Sequence, residues 1–297
     1  MDWVIFAFLA PIFWSVCNVI DKFLLEKHIR DPISYQILIT FFNTISILII
    51  LLIAPISTNF YGFLLGIIIG LLGVIAVIFY NQSMIYEEAS RVVPLAYLSS
   101  IFVLILAYIF LGEVFNLEKY LGIISIFIGG IVISYKKIKK KWYLSSAIKF
   151  ILISAFLWGV GSVISKYTLG FIDFYALTVW QLLGYLIFGP LFLLSRKVRK
   201  SFLKDIRVFN KKIIILMTLN ALFYLIGVLS FYFAASIGMI SLVYAITSTQ
   251  PLFIFIYMLM MTRLAPKIVK ERVDKSTISL KIIAISLIIL GSWLTAF

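Results

Sequence analysis

The chain has 297 residues, of which 63% are hydrophobic and only 13% are charged, and its mean hydropathy is +1.14. A soluble domain of this length could not cover so much apolar surface with so few charged side chains, so the composition argues against a soluble globular fold. The formal net charge of +14 would suggest nucleic-acid binding in a soluble protein. Here the basic residues lie between apolar runs, so no nucleic-acid partner is expected.

Apolar runs long enough to cross a bilayer, which takes about 20 residues, recur along the whole chain. Turn-forming residues such as Asp31-Pro32 and Gly112-Glu113 separate them. No cleavage-site pattern follows the first run, which indicates a retained helix and not a signal peptide. The sequence predicts an all-α integral membrane protein with about ten transmembrane helices. The predicted spans are 3–21, 33–54, 60–80, 92–111, 119–135, 147–168, 174–195, 211–233, 241–262 and 279–297.

Basic residues fall almost entirely on alternate connections between these spans. Of the 26 Lys and Arg residues, only Lys119 and Lys166 fall on the other side. Because positively charged loops stay in the cytoplasm, the odd-numbered connections are predicted to be cytoplasmic and both termini external. We expect a multi-pass protein of the plasma membrane whose basic loops contact anionic lipids.

A pattern in the first span recurs in the sixth. Trp14, Asn18 and Lys22 are spaced four residues apart, so on a helix they share one face. The first span is predicted to run inward and the sixth outward, which makes the two halves inverted repeats, a common plan of secondary transporters. The predicted repeats are residues 1–141 and 142–297. The recurring residues of the second half are Trp158, Ser162 and Lys166.

Polar and amphipathic side chains inside the apolar spans are candidates for a substrate cavity, because burying them is costly unless they face a partner or a wet space. The alternative role is a hydrogen bond between helices, and for Asn18 and Ser162 the two roles are weighed evenly. Trp14 and Trp158 are equally compatible with a cavity wall and with helix packing. The candidate cavity residues are Trp14, Asn18, Asn81, Trp158, Ser162, Gln181, Tyr224, Thr247 and Gln250.

Three charged residues, Asp21, Lys22 and Lys166, are candidates for the mouths of this cavity. The lysines could extend to the membrane interface, or they could attract anionic groups and pair to close a gate. Asp21 could pair with a cation on the inner side. All acidic residues are assigned to termini, span ends or connections, so no carboxylate is expected where proton-driven cation antiport would need one.

Small residues predict close helix contacts. Gly62, Gly66, Gly70 and Gly73 recur along the third span at steps of three or four residues. This spacing lets two helix backbones approach each other closely in a membrane.

The side-chain inventory argues against an enzyme. His28 is the only histidine and Cys17 is the only cysteine, so the usual catalytic sets and metal-ligand spacings cannot form, and Cys17 is expected to pack. Phosphate-loop and dinucleotide motifs are absent. We expect no cofactor and no bound metal, and a small-molecule solute as the partner.

The Trp14, Asn18 and Lys22 pattern, its echo, and the run Phe110-Leu111-Gly112-Glu113 resemble the EamA-like ten-helix transporters of the drug/metabolite transporter superfamily. The resemblance covers nearly the whole chain. It implies two inverted five-helix repeats around a central cavity, alternating access, and export or exchange of small metabolites such as amino acids. The alternative function is a non-transporting membrane protein that binds or senses a ligand in the same cavity. A homodimer is left open.

Overall fold

The structure is a computed structural model that describes residues 2–56, 59–114, 116–138, 141–144, 147–264 and 275–296. The described elements of the first half are helices up to Ser134, followed by a short antiparallel hairpin in which Tyr135 is opposite Leu144. Its elements are α1 (Asp2–Lys27), α2 (Pro32–Ile53), α3 (Phe60–Tyr86), α4 (Ala89–Ala96), α5 (Ser99–Leu111), α6 (Leu117–Ser134), β1 (Tyr135–Ile138) and β2 (Lys141–Leu144).

The second half follows the hairpin with the same kind of elements and one additional amphipathic helix, α9. A 3-10 turn over Pro190–Leu194 connects α8 to α9. The helices are α7 (Ile148–Thr168), α8 (Phe174–Phe188), α9 (Arg196–Ile206), α10 (Lys211–Ile237), α11 (Ile240–Thr247), α12 (Gln250–Leu264) and α13 (Lys275–Ala296).

Short polar residues start several of these helices where the sequence has its breaks. The Asp31 carboxylate accepts a hydrogen bond from the Ile33 N–H at 3.0 Å, and Pro32 follows it at the first helical position of α2. Asp173 accepts from the Ala176 N–H at 2.8 Å and starts α8 in the same way. Such caps satisfy backbone N–H groups that have no partner inside the helix.

Eight helical segments of the described chain are long and apolar enough to cross a membrane, and 278–291 forms a shorter apolar helix. The predicted all-α membrane class is confirmed. The count of about ten spans and the division at residue 141 stay predictions.

The predicted spans 92–111 and 241–262 are each broken into two helices, whereas the sequence predicts continuous ones. The breaks fall at 97–98, between α4 and α5, and at 248–249, between α11 and α12. At the first break the Leu98 N–H bonds to the Leu95 carbonyl at 3.1 Å, and the second break has the same tight pattern. Because these bonds keep the backbone paired, the helices can break inside an apolar environment.

Helix α1 runs in the same direction as α3. The Tyr80 hydroxyl donates to Asn18 at 3.0 Å, and one turn further along both helices the Lys22 ammonium donates to the Met84 carbonyl at 2.7 Å. The two helices therefore advance together towards their C-terminal ends.

Helix α7 runs in the opposite direction to α3. The Trp158 ring lies 5.1 Å from the Tyr80 ring, and the earlier residue Phe150 stacks on the later residue Tyr86 at 5.7 Å. Since α1 is parallel to α3 and α7 is antiparallel to it, α1 and α7 run in opposite directions. This is the arrangement that an inverted repeat requires.

The two halves pack closely against each other where α3 and α8 cross at glycine residues. A Cβ placed on Gly70 would lie 2.5 Å from the Gln181 carbonyl oxygen, and one on Gly184 would lie 2.7 Å from the Ile67 carbonyl oxygen. No side chain fits there, so the helix backbones are in direct contact. The glycine stripe of the third span is thus used for close packing, as predicted.

Candidate substrate cavity

A central cavity of about 230 Å³ lies between helices of both halves. All nine residues that the sequence analysis selected as cavity candidates line it, including Asn81, Tyr224 and Thr247. The structure therefore brings together side chains that are spread from position 14 to position 250. Their contact with a solute stays a proposal.

The two tryptophans each line the cavity and pack on an aromatic residue of the opposite half. The Trp14 ring of α1 lies 5.5 Å from the Phe231 ring of α10. The Trp158 ring of α7 lies 5.1 Å from the Tyr80 ring of α3. A Cβ on Gly227 would lie 2.5 Å from the indole nitrogen of Trp14, so α10 carries a glycine where this ring packs. Trp14 and Trp158 therefore each line the cavity and also pack between helices.

Asn18 and Ser162, which occupy equivalent positions in the two motifs, differ in their hydrogen bonds. Asn18 accepts from the Tyr80 hydroxyl at 3.0 Å and so ties α1 to α3. The Ser162 hydroxyl donates to the Trp158 carbonyl at 2.8 Å, one turn earlier in its own helix. Asn18 therefore bridges two helices at the cavity wall, whereas the hydrogen bond that Ser162 donates stays within α7.

The two candidate glutamines are held by tyrosines. Gln181 accepts from the Tyr232 hydroxyl at 2.9 Å and donates to the Tyr185 hydroxyl at 3.4 Å. Gln250 accepts from the Tyr97 hydroxyl, across a sequence distance of 153 residues. A tyrosine in an apolar span needs such a partner for its hydroxyl, and this requirement is the signal that could have added Tyr97 to the candidates.

Several buried polar atoms at the cavity have no hydrogen-bond partner among the described residues. They are the Gln36 Oε1, Asn43 Oδ1 and Asn81 Nδ2 atoms and the Trp14 indole nitrogen. An unpaired buried polar atom costs about 1–3 kcal/mol, so such atoms are rare in folded proteins. Their residues line the cavity, whereas the atoms themselves are buried behind its surface.

Asp21 lies on the cavity wall, and this corrects the expectation that no carboxylate reaches such a position. Its Oδ1 atom accepts from the Tyr35 hydroxyl at 2.5 Å and from the Asn220 amide at 2.7 Å. The reason for the difference is the length of α1, which continues to Lys27 instead of ending at residue 21. Asp21 is therefore more than a turn inside the helix. Tyr35 was not among the sequence candidates.

The two candidate mouth lysines do not line the cavity. The Lys22 ammonium donates to the carbonyls of Met84 and Glu87 at 2.7 and 2.9 Å, and it pairs with Glu26 at 2.9 Å. Lys22 is only 4% exposed, so its side chain is packed within the protein. Its ammonium instead satisfies carbonyls at the C-terminal end of α3, where cations are favoured.

Lys166 has the same role in the second half. Its ammonium donates to the carbonyls of Ala235 and Gly238 at 2.8 and 2.9 Å, at the C-terminal end of α10. This side chain is half-buried. Both lysines therefore bind backbone at helix ends, which neither of the two roles weighed from the sequence had included.

Glu113 reaches from the end of α5 to the start of α11. Its carboxylate accepts from the Ile240 N–H at 2.9 Å, the Ser241 N–H at 3.2 Å and the Ser241 hydroxyl at 2.6 Å. Gly112, which precedes it, has a φ of 66° and ends α5 in the left-handed conformation. A carboxylate at a helix N-terminus is favoured by the free N–H groups and the helix dipole.

Arg91 and Lys281 correct the assignment of nearly all basic residues to loops. They are 2% and 1% exposed, and both lie near Glu88, with the Lys281 ammonium at 3.0 Å and the Arg91 Nε at 3.7 Å from its Oε2. A buried charge needs such a partner. The cluster joins the start of α4 to α13, and sequence position alone could not show it.

The fold and the cavity define the class of the protein: a multi-pass helical membrane protein with an aromatic and polar central cavity. Residues 1–135 match the EamA-like transporter family, so the first half of the chain is a domain of the drug/metabolite transporter superfamily. The resemblance is thereby confirmed for residues 1–135, and this family indicates a membrane transporter of the drug/metabolite type.

Comparison with solved structures agrees on the fold. One crystal structure of a protein superposes with a TM-score of 0.66 over 99% of this chain and 96% of its own length, at 12% sequence identity. At this identity the likeness shows the fold alone. No curated protein sequence matches the chain.

Proposed function

We propose that the protein is a secondary transporter that exports or exchanges small metabolites, polar or amphipathic, by alternating access through the central cavity. The observation that supports this most directly is the cavity itself, because it lies between two halves whose first helices run in opposite directions. The amide and hydroxyl side chains of its lining give a polar solute groups to bind. The broken helices α4–α5 and α11–α12 border it, which is typical of transporter binding sites.

Solute counterflow in proteoliposomes tests the proposal. Vesicles that contain the purified protein are preloaded with a candidate metabolite, and uptake of the labelled compound is followed. We expect accelerated exchange in the wild type and at least about a tenfold loss in Asn18→Ala, because Asn18 lines the cavity and positions Tyr80. Asn116→Ala is the matched control, because Asn116 is exposed outside the cavity.

Saturable binding without any counterflow would reject transport and favour a ligand-binding or sensor protein. Candidate metabolites are chosen first by thermal shift of the purified protein, since a bound ligand stabilises the folded state by mass action. A screen that finds neither binding nor flux would contradict both functions.

We propose that the protein lies in the plasma membrane with its basic loops in the cytoplasm and both termini outside. Support comes from α9, whose basic residues Arg196, Lys197, Arg199 and Lys200 lie between two apolar helices. The exposed Leu203 and Ile206 side chains suit a helix that lies on anionic lipid. A reporter fused after residue 297 is expected to be active outside the cell, and activity only in the cytoplasm would contradict this orientation.

A further inference from the structure

We infer that the cavity takes a solute with one ammonium group on a small apolar or aromatic body, with Asp21 as the counter-ion. This inference rests on the proposed function, because it names the chemical class of solute for the same cavity. Four features of the described structure support it: the state of the Asp21 carboxylate, the charges of the lining, its aromatic content and its unpaired acceptors.

The Asp21 carboxylate has capacity for a further partner. Both of its hydrogen bonds, from Tyr35 at 2.5 Å and Asn220 at 2.7 Å, end on Oδ1. Its other oxygen, Oδ2, accepts no hydrogen bond from a described residue. A carboxylate can accept about four hydrogen bonds, and in low-dielectric surroundings an unpaired one is costly. A cation at Oδ2 would offset that cost.

The adjacent lysine does not neutralise this carboxylate. Lys22 follows Asp21 in sequence, but successive side chains of a helix point in different directions. Its ammonium is bound to the carbonyls of Met84 and Glu87 and to the Glu26 carboxylate. Asp21 therefore forms no ion pair within the described part of the chain.

The rest of the lining carries no opposite charge. Among the described residues that line the cavity there is no Lys, Arg or His, and Asp21 is the one acidic side chain. An anionic solute would meet a carboxylate and find no cation to pair with. Like charges at close range in such surroundings are strongly unfavourable, so this cavity discriminates against anions.

Aromatic rings make up much of the wall. Ten of the described lining residues are aromatic, enough to place π faces on several sides of a small solute. The faces of Trp and Tyr rings attract ammonium groups, and aromatic cages bind such groups in other proteins. The rings also supply apolar surface for the body of the solute. They are Trp14, Tyr35, Tyr80, Tyr97, Trp158, Tyr185, Tyr224, Phe231, Tyr232 and Tyr244.

Two unpaired acceptors lie on α2, the helix that also carries Tyr35. Gln36 Oε1 and Asn43 Oδ1 belong to side chains that are 1% and 5% exposed, both line the cavity, and neither atom has a partner among the described residues. A primary ammonium has three N–H donors and no acceptor. One donor can bond to Asp21, and another can bond to one carbonyl oxygen of this kind. Gln36 and Asn43 are seven residues, or about two turns, apart on α2, so a single ammonium cannot use both.

Three indole compounds of nearly equal size test the charge preference. Tryptamine is a cation at pH 7, tryptophol is its neutral counterpart with a hydroxyl group, and indole-3-acetate is an anion. Binding of each to the purified full-length protein is measured by thermal shift and by titration calorimetry. We expect tryptamine to bind at least about tenfold more tightly than tryptophol, and indole-3-acetate to bind most weakly, because a charged hydrogen bond adds more affinity than a neutral one.

Variants at position 21 then assign the preference to one carboxylate. Asp21→Asn is expected to remove the advantage of tryptamine over tryptophol, and Asp21→Glu to retain part of it. Asp173→Asn is the matched control, because it makes the same chemical change at the start of α8, where asparagine caps a helix as well as aspartate does. If Asp21→Asn does not fold, the three-compound comparison on the wild type still decides.

Equal binding of the cation and the neutral compound, tighter binding of the anion, or binding of none of the three would overturn the inference. Counterflow of labelled tryptamine in proteoliposomes tests transport independently of the proposed class of solute. Binding that depends on Asp21 without counterflow would support the solute class and reject transport. Counterflow of an anionic metabolite alone would support transport and reject the class.

Discussion

Lys22 and Lys166 make equivalent contacts in the two halves: each ammonium donates to two carbonyls at the C-terminal end of one long helix, α3 or α10. In both halves that end is followed at once by a broken helix. Each lysine therefore stabilises the equivalent connection in its own half, between a long helix and the broken helix that follows it. The lysines act on the structure around the cavity and not inside it.

Lys22→Met is expected to destabilise the protein by about 1–3 kcal/mol, because the apolar side chain removes the hydrogen bonds from the ammonium to the carbonyls of Met84 and Glu87. The measurement is the midpoint of thermal unfolding in detergent. Lys27→Met on the exposed end of the same helix is the control and should change little. A variant that kept its stability but lost affinity for an anionic solute would instead show that Lys22 attracts substrate.

Glu113→Gln is expected to lower stability by about 1–3 kcal/mol, because a neutral amide accepts more weakly from the N–H groups at the start of α11. Thermal unfolding again gives the measurement. Glu118→Gln is matched in chemistry, but Glu118 is exposed in the first turn of α6, so this variant should lower the midpoint much less. Equal effects of the two variants would mean that the helix contact adds no stability.

Gly70→Ala is expected to reduce the yield of monodisperse protein, since a methyl group would overlap the Gln181 carbonyl and the Gly184 Cα atom. Gly161→Ala provides the contrast. A Cβ at Gly161 meets nothing within 4 Å, and alanine stabilises a helix interior by roughly 0.5–1 kcal/mol relative to glycine. Size-exclusion chromatography and thermal unfolding of both variants measure the difference. Similar behaviour of the two would contradict the close crossing of α3 and α8.

Asp205 lies outside the membrane-spanning segments, and its effect on the stability of the fold is expected to depend on pH. Burial raises the pKa of its carboxyl above the ordinary value of 3.8, and the nearby Asp31 carboxylate acts in the same direction. The folded state then binds the proton more tightly than the unfolded state. The ionised carboxylate therefore costs stability at neutral pH, and the cost disappears as the pH falls below 3.8.

Asp205→Asn should accordingly raise the unfolding midpoint at pH 7, by less than about 3 °C for a chain of this size. The gain should shrink as the pH is lowered towards 4. Unfolding midpoints of wild type and variant are compared across this pH range. A gain that grew with acidity would contradict the assigned direction of the pKa shift.

The sequence by itself predicted the membrane class, the family of residues 1–135 and the nine residues that the structure brings together at one cavity. Helical spacing and the cost of burying polar groups in apolar spans are local properties, so positions such as Asn18 and Gln181 could be selected without coordinates. The glycine spacing along α3 could be recognised from the sequence for the same reason, because it follows from the period of a helix.

Only the tertiary structure decided what the charged residues do. Asp21 enters the cavity because α1 continues past the predicted span and because Asn220, 199 residues away, supports its carboxylate. Lys22 and Glu113 bind backbone groups 62 and 127 residues away in sequence. The helix breaks between α4 and α5 and between α11 and α12 likewise depend on backbone hydrogen bonds at single residues. Hydropathy measures how readily a segment enters the membrane, whereas the partner of a charge depends on which distant helix end is packed beside it.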